Sequence, residues 1–178
     1  TNSSGVKELF NVDASGTTPA SPILSAANGG ECQKNYTVLM TDGKWNGSDP
    51  SVGNADGDNN TSYDGGAYAD TNSNTLADVA MHYYERDLNT TLANKVKGIG
   101  RDTNPKQHMV TYGVAFGVNG TLSSNPADET TAFSWPSVVG DSIETVDDLR
   151  HAAWNGRGDF LSAADPAALS KAFQDIHE

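Results

Sequence analysis

The 178-residue chain has no run of apolar residues near the ~20 needed to cross a bilayer, so no membrane span is expected. It has one cysteine, Cys32, which can close no internal disulfide and is either buried and reduced or paired outside this segment. Basic residues are few: 11 Lys and Arg against 23 Asp and Glu, for a net charge of −12. They form no cluster, which excludes phosphate-driven binding of nucleic acid and disfavours anionic membrane surfaces. Large aliphatics are scarce too: Leu, Ile, Val and Phe make up 31 residues, a level that signals disorder in a charged chain unless they are clustered. They are clustered, and the tract 43–74 is almost bare of them. The chain begins at Thr1 without a leader-like segment, so it reads as a piece of a longer or processed protein.

What is present is acidic in a particular way. Aspartate outnumbers glutamate 17 to 6, and short carboxylates and Asn amides in loops are the usual oxygen ligands of hard cations. Pro22 to Ala27 reads as a short helix, ended by Asn28-Gly29-Gly30. Tyr36 to Thr41 is a strand of nearly continuous apolar character, which predicts burial on both faces of a parallel sheet. It runs into the turn Asp42-Gly43 and then a Gly/Asn/Asp-rich tract, an insert at 43–74 best read as solvated and turn-rich.

From Thr75 to about Leu88 the positions Leu76, Val79, Ala80, Tyr83 and Tyr84 make one apolar helical stripe. Met109 to Val118 is a second buried strand. Thr145 to Trp154 is a helix opening on a capping-box-like Thr145-Val-Asp-Asp148, and Asp159 to Ser162 is a third strand. Asp165-Pro166 opens a last helix whose apolar face is Leu169, Ala172, Phe173 and Ile176. Buried strands alternating with amphipathic helices predict an α/β fold in three layers, a mostly parallel sheet flanked by helices, over one domain spanning 1–178.

Ligands of open parallel sheets sit at the carboxyl ends of strands. Asp42 is delivered there, and the hydroxyls of Thr17 and Thr18 lie in a loop before a helix, a pairing suited to Mg²⁺. Asp56, Asp58 and Asn60 have the opening spacing of a calcium loop, but Thr61 stands where the sharp-turn glycine belongs and Ala67 where the bidentate glutamate belongs. The four histidines share no ligand spacing, and no Gly-x-Ser-x-Gly elbow or nucleophile–base pair is visible, so no enzyme is expected. Arg157-Gly-Asp159 spells an integrin-recognition tripeptide, but it leads into a strand and reads as chance.

Gly16-Thr-Thr-Pro19 and Tyr36-Thr-Val-Leu-Met-Thr-Asp-Gly43 resemble the second and third segments of the metal-ion-dependent adhesion site of von Willebrand factor type A domains. More narrowly, Cys32 to Gly47, Tyr68 to Tyr84, Gln107 to Leu122, and Asp147 to Gly158 resemble the PilY family of type IV pilus assembly and tip proteins. The likeness runs from about Leu9 onward and implies the C-terminal two-thirds of a type A domain. It would make Thr18 the site's threonine and Asp42 its second aspartate. The first segment, Asp-x-Ser-x-Ser, would lie upstream. Asp13-Ala-Ser-Gly-Thr17 has a related spacing but shares a loop with Thr18, with no room for the intervening strands and helices.

The resemblance further implies a divalent cation, Mg or Ca, with an open coordination position for a partner's acidic group. It implies minor pilins and other pilus-tip components as partners, attachment to host or abiotic surfaces, and a place at the cell surface after export through the periplasm. The competing expectation is a structural module for pilus assembly or priming in which the cation site is vestigial.

Overall fold

The computed structural model describes residues 21–163, apart from 43, 46 and 48, together with 167 and 170. Three parallel strands form its sheet: β1 (Asn35–Thr41), β2 (Met109–Phe116) and β3 (Arg157–Ala163), in spatial order β1-β2-β3. β1 and β2 run in unbroken register from Asn35 opposite Met109 to Thr41 opposite Ala115, whereas β2 and β3 shift register between Thr111 and Gly113. Helix α1 (Leu76–Glu85) lies between β1 and β2, and α2 (Glu144–Asn155) between β2 and β3. Two crossovers that step the same way across a sheet, each right-handed, place both helices on one face. α1 and α2 accordingly pack on each other and against β2.

The expected alternation of strands and helices is therefore present, with two of the expected layers within the described residues. Of the last helix, expected from Asp165-Pro166, Ala167 and Ser170 are described and both are helical; the rest lies outside the described residues. The face toward the helices carries Leu39, Ala115 and Phe160 against Val146 and Leu149. Gly113 belongs to that face because a Cβ there would sit 3.0 Å from Leu149 Cγ and from Leu149 O, so only glycine lets α2 settle onto β2.

β1 departs from its expected burial on both faces. Its side chains alternate, and Tyr36, Val38 and Met40 are 52, 41 and 56 % exposed. Among the described residues β1 pairs with β2 alone, and both helices lie on the other face, so its apolar run is covered on one side only.

Helix boundaries follow capping chemistry. Thr75 accepts from the Asp78 backbone N–H (3.2 Å) while the Asp78 carboxylate accepts from the Thr75 N–H (2.9 Å), a capping box closed by aspartate. α1 stops at Glu85, three residues before the expected end, because Arg86 is extended and the Leu88 N–H donates to Gln107 O. The buried side of α1 is Ala77, Ala80, Met81 and Tyr84, so the stripe is turned from its expected position and Tyr83 is 46 % exposed. Ala77 is tied to α2 at its backbone, its N–H donating to Asp148 and its carbonyl accepting from Asn155 Nδ2, and these bonds hold that side of α1 inward.

The capping box expected at Thr145–Asp148 does not form. Ile143 caps α2 without a side-chain bond, and the Thr145 hydroxyl donates to Ser142 O. Both carboxylates reach other segments. Asp147 accepts from the Thr121 N–H and hydroxyl and the Leu122 N–H, and Asp148 accepts from the Leu76 and Ala77 N–H groups of α1 and from Trp45 Nε1. β2 ends two residues early at Phe116, and β3 begins two early at Arg157. The expected helix over Pro22–Ala27 is replaced by 3₁₀ turns at Ala26–Asn28 and Gly30–Cys32, separated by Gly29 at φ +89°.

The tract 43–74 contains no helix or strand among its described residues, yet it is not merely solvated. Ala55, Ala67 and Tyr68 join Met81, Tyr84, Trp135 and Trp154 in a second apolar cluster. Side chains replace a backbone ladder here: Asn54 Nδ2 donates to Asp70 O and Asn72 O, Asn74 Oδ1 accepts from the Gly53 N–H, and Asp78 Oδ1 accepts from the Ala55 N–H. Polar residues that looked like solvated loop are the means by which this segment pairs its buried backbone groups. Among the described residues no helix is long and apolar enough to cross a membrane.

Candidate functional site

The carboxyl end of β1 presents Asp42 to solvent. With Met40, Thr41 and Phe116 it lines an open hollow of about 370 Å³. This is the sheet edge at which ligands of parallel α/β folds gather. Thr18, the second residue expected at this edge, lies outside the described residues. A smaller apolar hollow of about 260 Å³ follows in the chain, walled by Trp45, Pro50, Leu76 and Val79.

The three residues with calcium-loop spacing do not converge. Asp58 is exposed and takes both the N–H and the side-chain amide of Asn60 (3.1 and 2.7 Å). Asp56 is turned inward and fully buried, accepting from the Asp70 N–H at 3.1 Å and Asn155 Nδ2 at 2.8 Å, with His151 Nε2 3.4 Å away. Burial above all, with the charges of Asp78 and Asp70, drives its pKa up to about 8 in spite of those hydrogen bonds.

The geometry instead gathers a group that the spacing did not indicate. Thr61 donates its N–H and its hydroxyl to Asp64 (both 2.9 Å), and the same hydroxyl lies 3.2 Å from Glu85 at the end of α1. Burial, then the neighbouring Asp64, raises Glu85 to about 7. The one sequence signal was the position of Glu85 four residues after Met81, on the inner side of α1. Among the described residues no group of three or more His, Cys, Asp and Glu side chains is arranged to hold a metal ion.

Two of the histidines are packing elements. His151 stacks on Trp135 with ring centroids 3.9 Å apart and has Nε2 2.6 Å from Tyr68 O; burial lowers its pKa to about 4 against the opposing effects of that carbonyl and Asp70. His108 sits between Lys106 O (2.7 Å) and Asp102 (3.1 Å). Burial pushes Asp102 upward, but the His108 contact, the Asn104 N–H and the Tyr84 hydroxyl together hold it below the usual carboxylate value. In the Arg-Gly-Asp tripeptide, Arg157 is buried while Asp159 is exposed, so the three residues are not offered together to a receptor.

Asp56 gives a pH-dependent prediction. Its ordinary pKa of 3.8 rises to about 8 on folding, so the native state keeps a proton that the unfolded chain releases. Stability therefore falls as pH climbs from about 4 to about 8 and levels off above that. Asp56→Asn, always neutral, is expected to melt close to wild type near pH 5 and to be more stable at pH 9 by on the order of 2–4 kcal/mol. The extra amide donor faces Asn155, whose Oδ1 has no hydrogen-bond partner among the described residues; turning that amide to meet it gives up the Asn155 Nδ2 bond to Ala77 O (3.2 Å), which holds the gain to this range. Thermal melts of both proteins from pH 5 to 9 check this, and parallel pH profiles would refute it.

What these residues define is a parallel α/β domain with an acidic, loop-built surface at the carboxyl ends of its strands. The chain is homologous to the type IV pilus biogenesis factor PilY1 of Pseudomonas aeruginosa. It is 37 % identical to the protein of strain PAK over 178 aligned positions covering 82 % of this chain, and 35 % identical to that of strain UCBPP-PA14 over 219 positions covering 94 %. These alignments cover 15 and 19 % of the two relatives, so the chain spans less than a fifth of their length. No family model matches the chain. No solved structure matches it either.

Proposed function

We propose that this chain is the adhesion module of a type IV pilus biogenesis factor, with the architecture of a von Willebrand factor type A domain. It acts by binding and not by catalysis. Asp42, with the hydroxyl of Thr18 and ligands from outside the described residues, holds a divalent cation, Mg or Ca, and an open position on that cation takes a carboxylate from a partner. Its partners are minor pilins and other pilus-tip components together with host or abiotic surfaces, and its place is the cell surface at the pilus tip. The observation that supports this most directly is the exposure of Asp42 where β1 ends, beside the hollow lined by Thr41 and Phe116. Hydroxyls and few charged ligands leave a hard cation electron-poor and able to accept one more oxygen.

Calorimetric titration of Mg²⁺, Mn²⁺ and Ca²⁺ into the full-length protein is expected to show binding that Asp42→Ala weakens at least tenfold. Equal binding by both proteins would sink the cation reading. A structural assembly module is the second reading. It is favoured by how fully Asp78, Asp147 and Asp148 are committed to internal N–H groups. Cells with Asp42→Ala that keep both their pili and their surface attachment would support it.

A further inference from the structure

Helix α1 is apolar on two sides. Its inner side fills the core, and its outer side presents half-buried Val79 and exposed Tyr83, with half-buried Leu76 bridging to the Ala115, Val146 and Leu149 cluster. Trp45 and Pro50 stand against that outer side and close a hollow of about 260 Å³ with Leu76 and Val79. The walls are fixed in place. A single buried oxygen, Asp148 Oδ2, accepts from Trp45 Nε1 at 3.2 Å and from the Leu76 N–H at 2.9 Å, so one carboxylate holds both the indole and the helix end.

The surroundings are acidic. The Asp141 N–H donates to Trp45 O (3.0 Å), which brings Asp141 and the exposed Val139 and Ile143 alongside. Asn74, in the wall, donates to Asp49 at 3.1 Å. Asp49 and Asp141 are exposed and Glu144 half-exposed, and Lys44 is the sole cationic side chain in segments 44–50, 74–79 and 139–144.

We infer that this groove docks a peptide segment of a partner protein that carries an apolar anchor residue flanked by basic side chains. A preformed apolar hollow with an indole wall is suited to one buried side chain. A rim of carboxylates on a chain of net charge −12 attracts a basic segment, repels an acidic one and makes association sensitive to salt. The groove needs no cation and stands apart from the role proposed for Asp42.

The test uses the full-length protein and three fluorescein-labelled dodecapeptides: one with a central Phe flanked by Lys, one with Ser in place of the Phe, and one with Glu in place of the Lys. The first is expected to bind at least tenfold more tightly than either of the others and to weaken in 0.5 M NaCl. Val79→Ser lowers its affinity at least tenfold, and Glu144→Lys lowers it at low salt only, both with melting temperatures near wild type. Chelation of divalent cations and Asp42→Ala leave it unchanged, so failure here and failure of the cation reading are separable. Equal affinity for the three peptides, wild-type affinity in both variants, or loss of binding on chelation would overturn the proposal.

Discussion

Asp148→Ala is expected to cost about 3–5 kcal/mol of folding stability, since it leaves several buried donors without an acceptor. The side chain is 2 % exposed and accepts three hydrogen bonds, from the N–H groups of Leu76 and Ala77 and from the indole of Trp45. The first two are orphan donors of the α1 N-terminus, so a residue of α2 does part of the capping of α1 and fixes how the helices meet. Asp148→Asn keeps the shape but only one acceptor oxygen, and is expected to lose about half as much. Burial first, with the charge of Asp78, raises the Asp148 pKa to about 6 although the three donors favour its ionised form. The sign is thus that of a group protonated more readily when folded, so its contribution declines between about pH 4 and 6 and is constant above. Urea unfolding at pH 7 checks the loss, and a cost below about 1 kcal/mol for the alanine variant would show that α1 does not depend on this cap.

That same residue shows where the sequence stops being legible. Asp148 sits three positions after Thr145, the spacing of a local capping box, and nothing within that segment reveals that the carboxylate serves Leu76, 72 residues away. Thr75 and Asp78 have the identical spacing and do close the box. The difference lies in tertiary packing, which local spacing does not encode. β1, β2 and both helices are readable because their apolar periodicity is strong over seven to twelve residues. Which side of α1 faces inward is not, because both of its sides are apolar and the choice falls to the bonds that tie Ala77 to Asp148 and Asn155 of α2.

The site is legible to a smaller degree. Asp42 at the end of β1 follows from strand length and the Asp-Gly turn. The tract 43–74 hides its role because buried polar residues and solvated ones have the same composition. Asp56 and Asp58 differ by two positions and by nothing in chemistry, yet one is fully buried against Asn155 and the other exposed beside Asn60. The reversal at 57–60, with Asn59 at φ +55°, separates them, and alternating Asp spacing cannot signal it.

Arg157→Ala is expected to cost about 3–5 kcal/mol, the range of a large buried side chain removed together with its hydrogen bonds. The guanidinium carbon lies 3.7 Å from the ring centre of Tyr68 and 4.1 Å from that of Tyr84, a cation held between two aromatic faces. Its two Nη groups donate to Asn155 O and Tyr63 O, and so join the loop tract, α1 and the end of α2 at one point. Burial presses its pKa below the ordinary value, with the two tyrosines opposing. The backbone there has φ +59°, a strained conformation for a side-chain-bearing residue that the surrounding contacts must hold. Arg157→Lys is expected to recover less than half of the loss, because an ammonium cannot lie flat between two rings while reaching both carbonyls. Arg157→Met fills most of the volume but leaves both carbonyls without a donor, and is expected to fall below lysine. Urea titrations of the three variants give the order directly: lysine equal to wild type would assign the stabilisation to charge alone, and methionine above lysine to volume alone. Either result would remove the paired stacking on Tyr68 and Tyr84 as the reason this core tolerates a cation that has no carboxylate partner among the described residues.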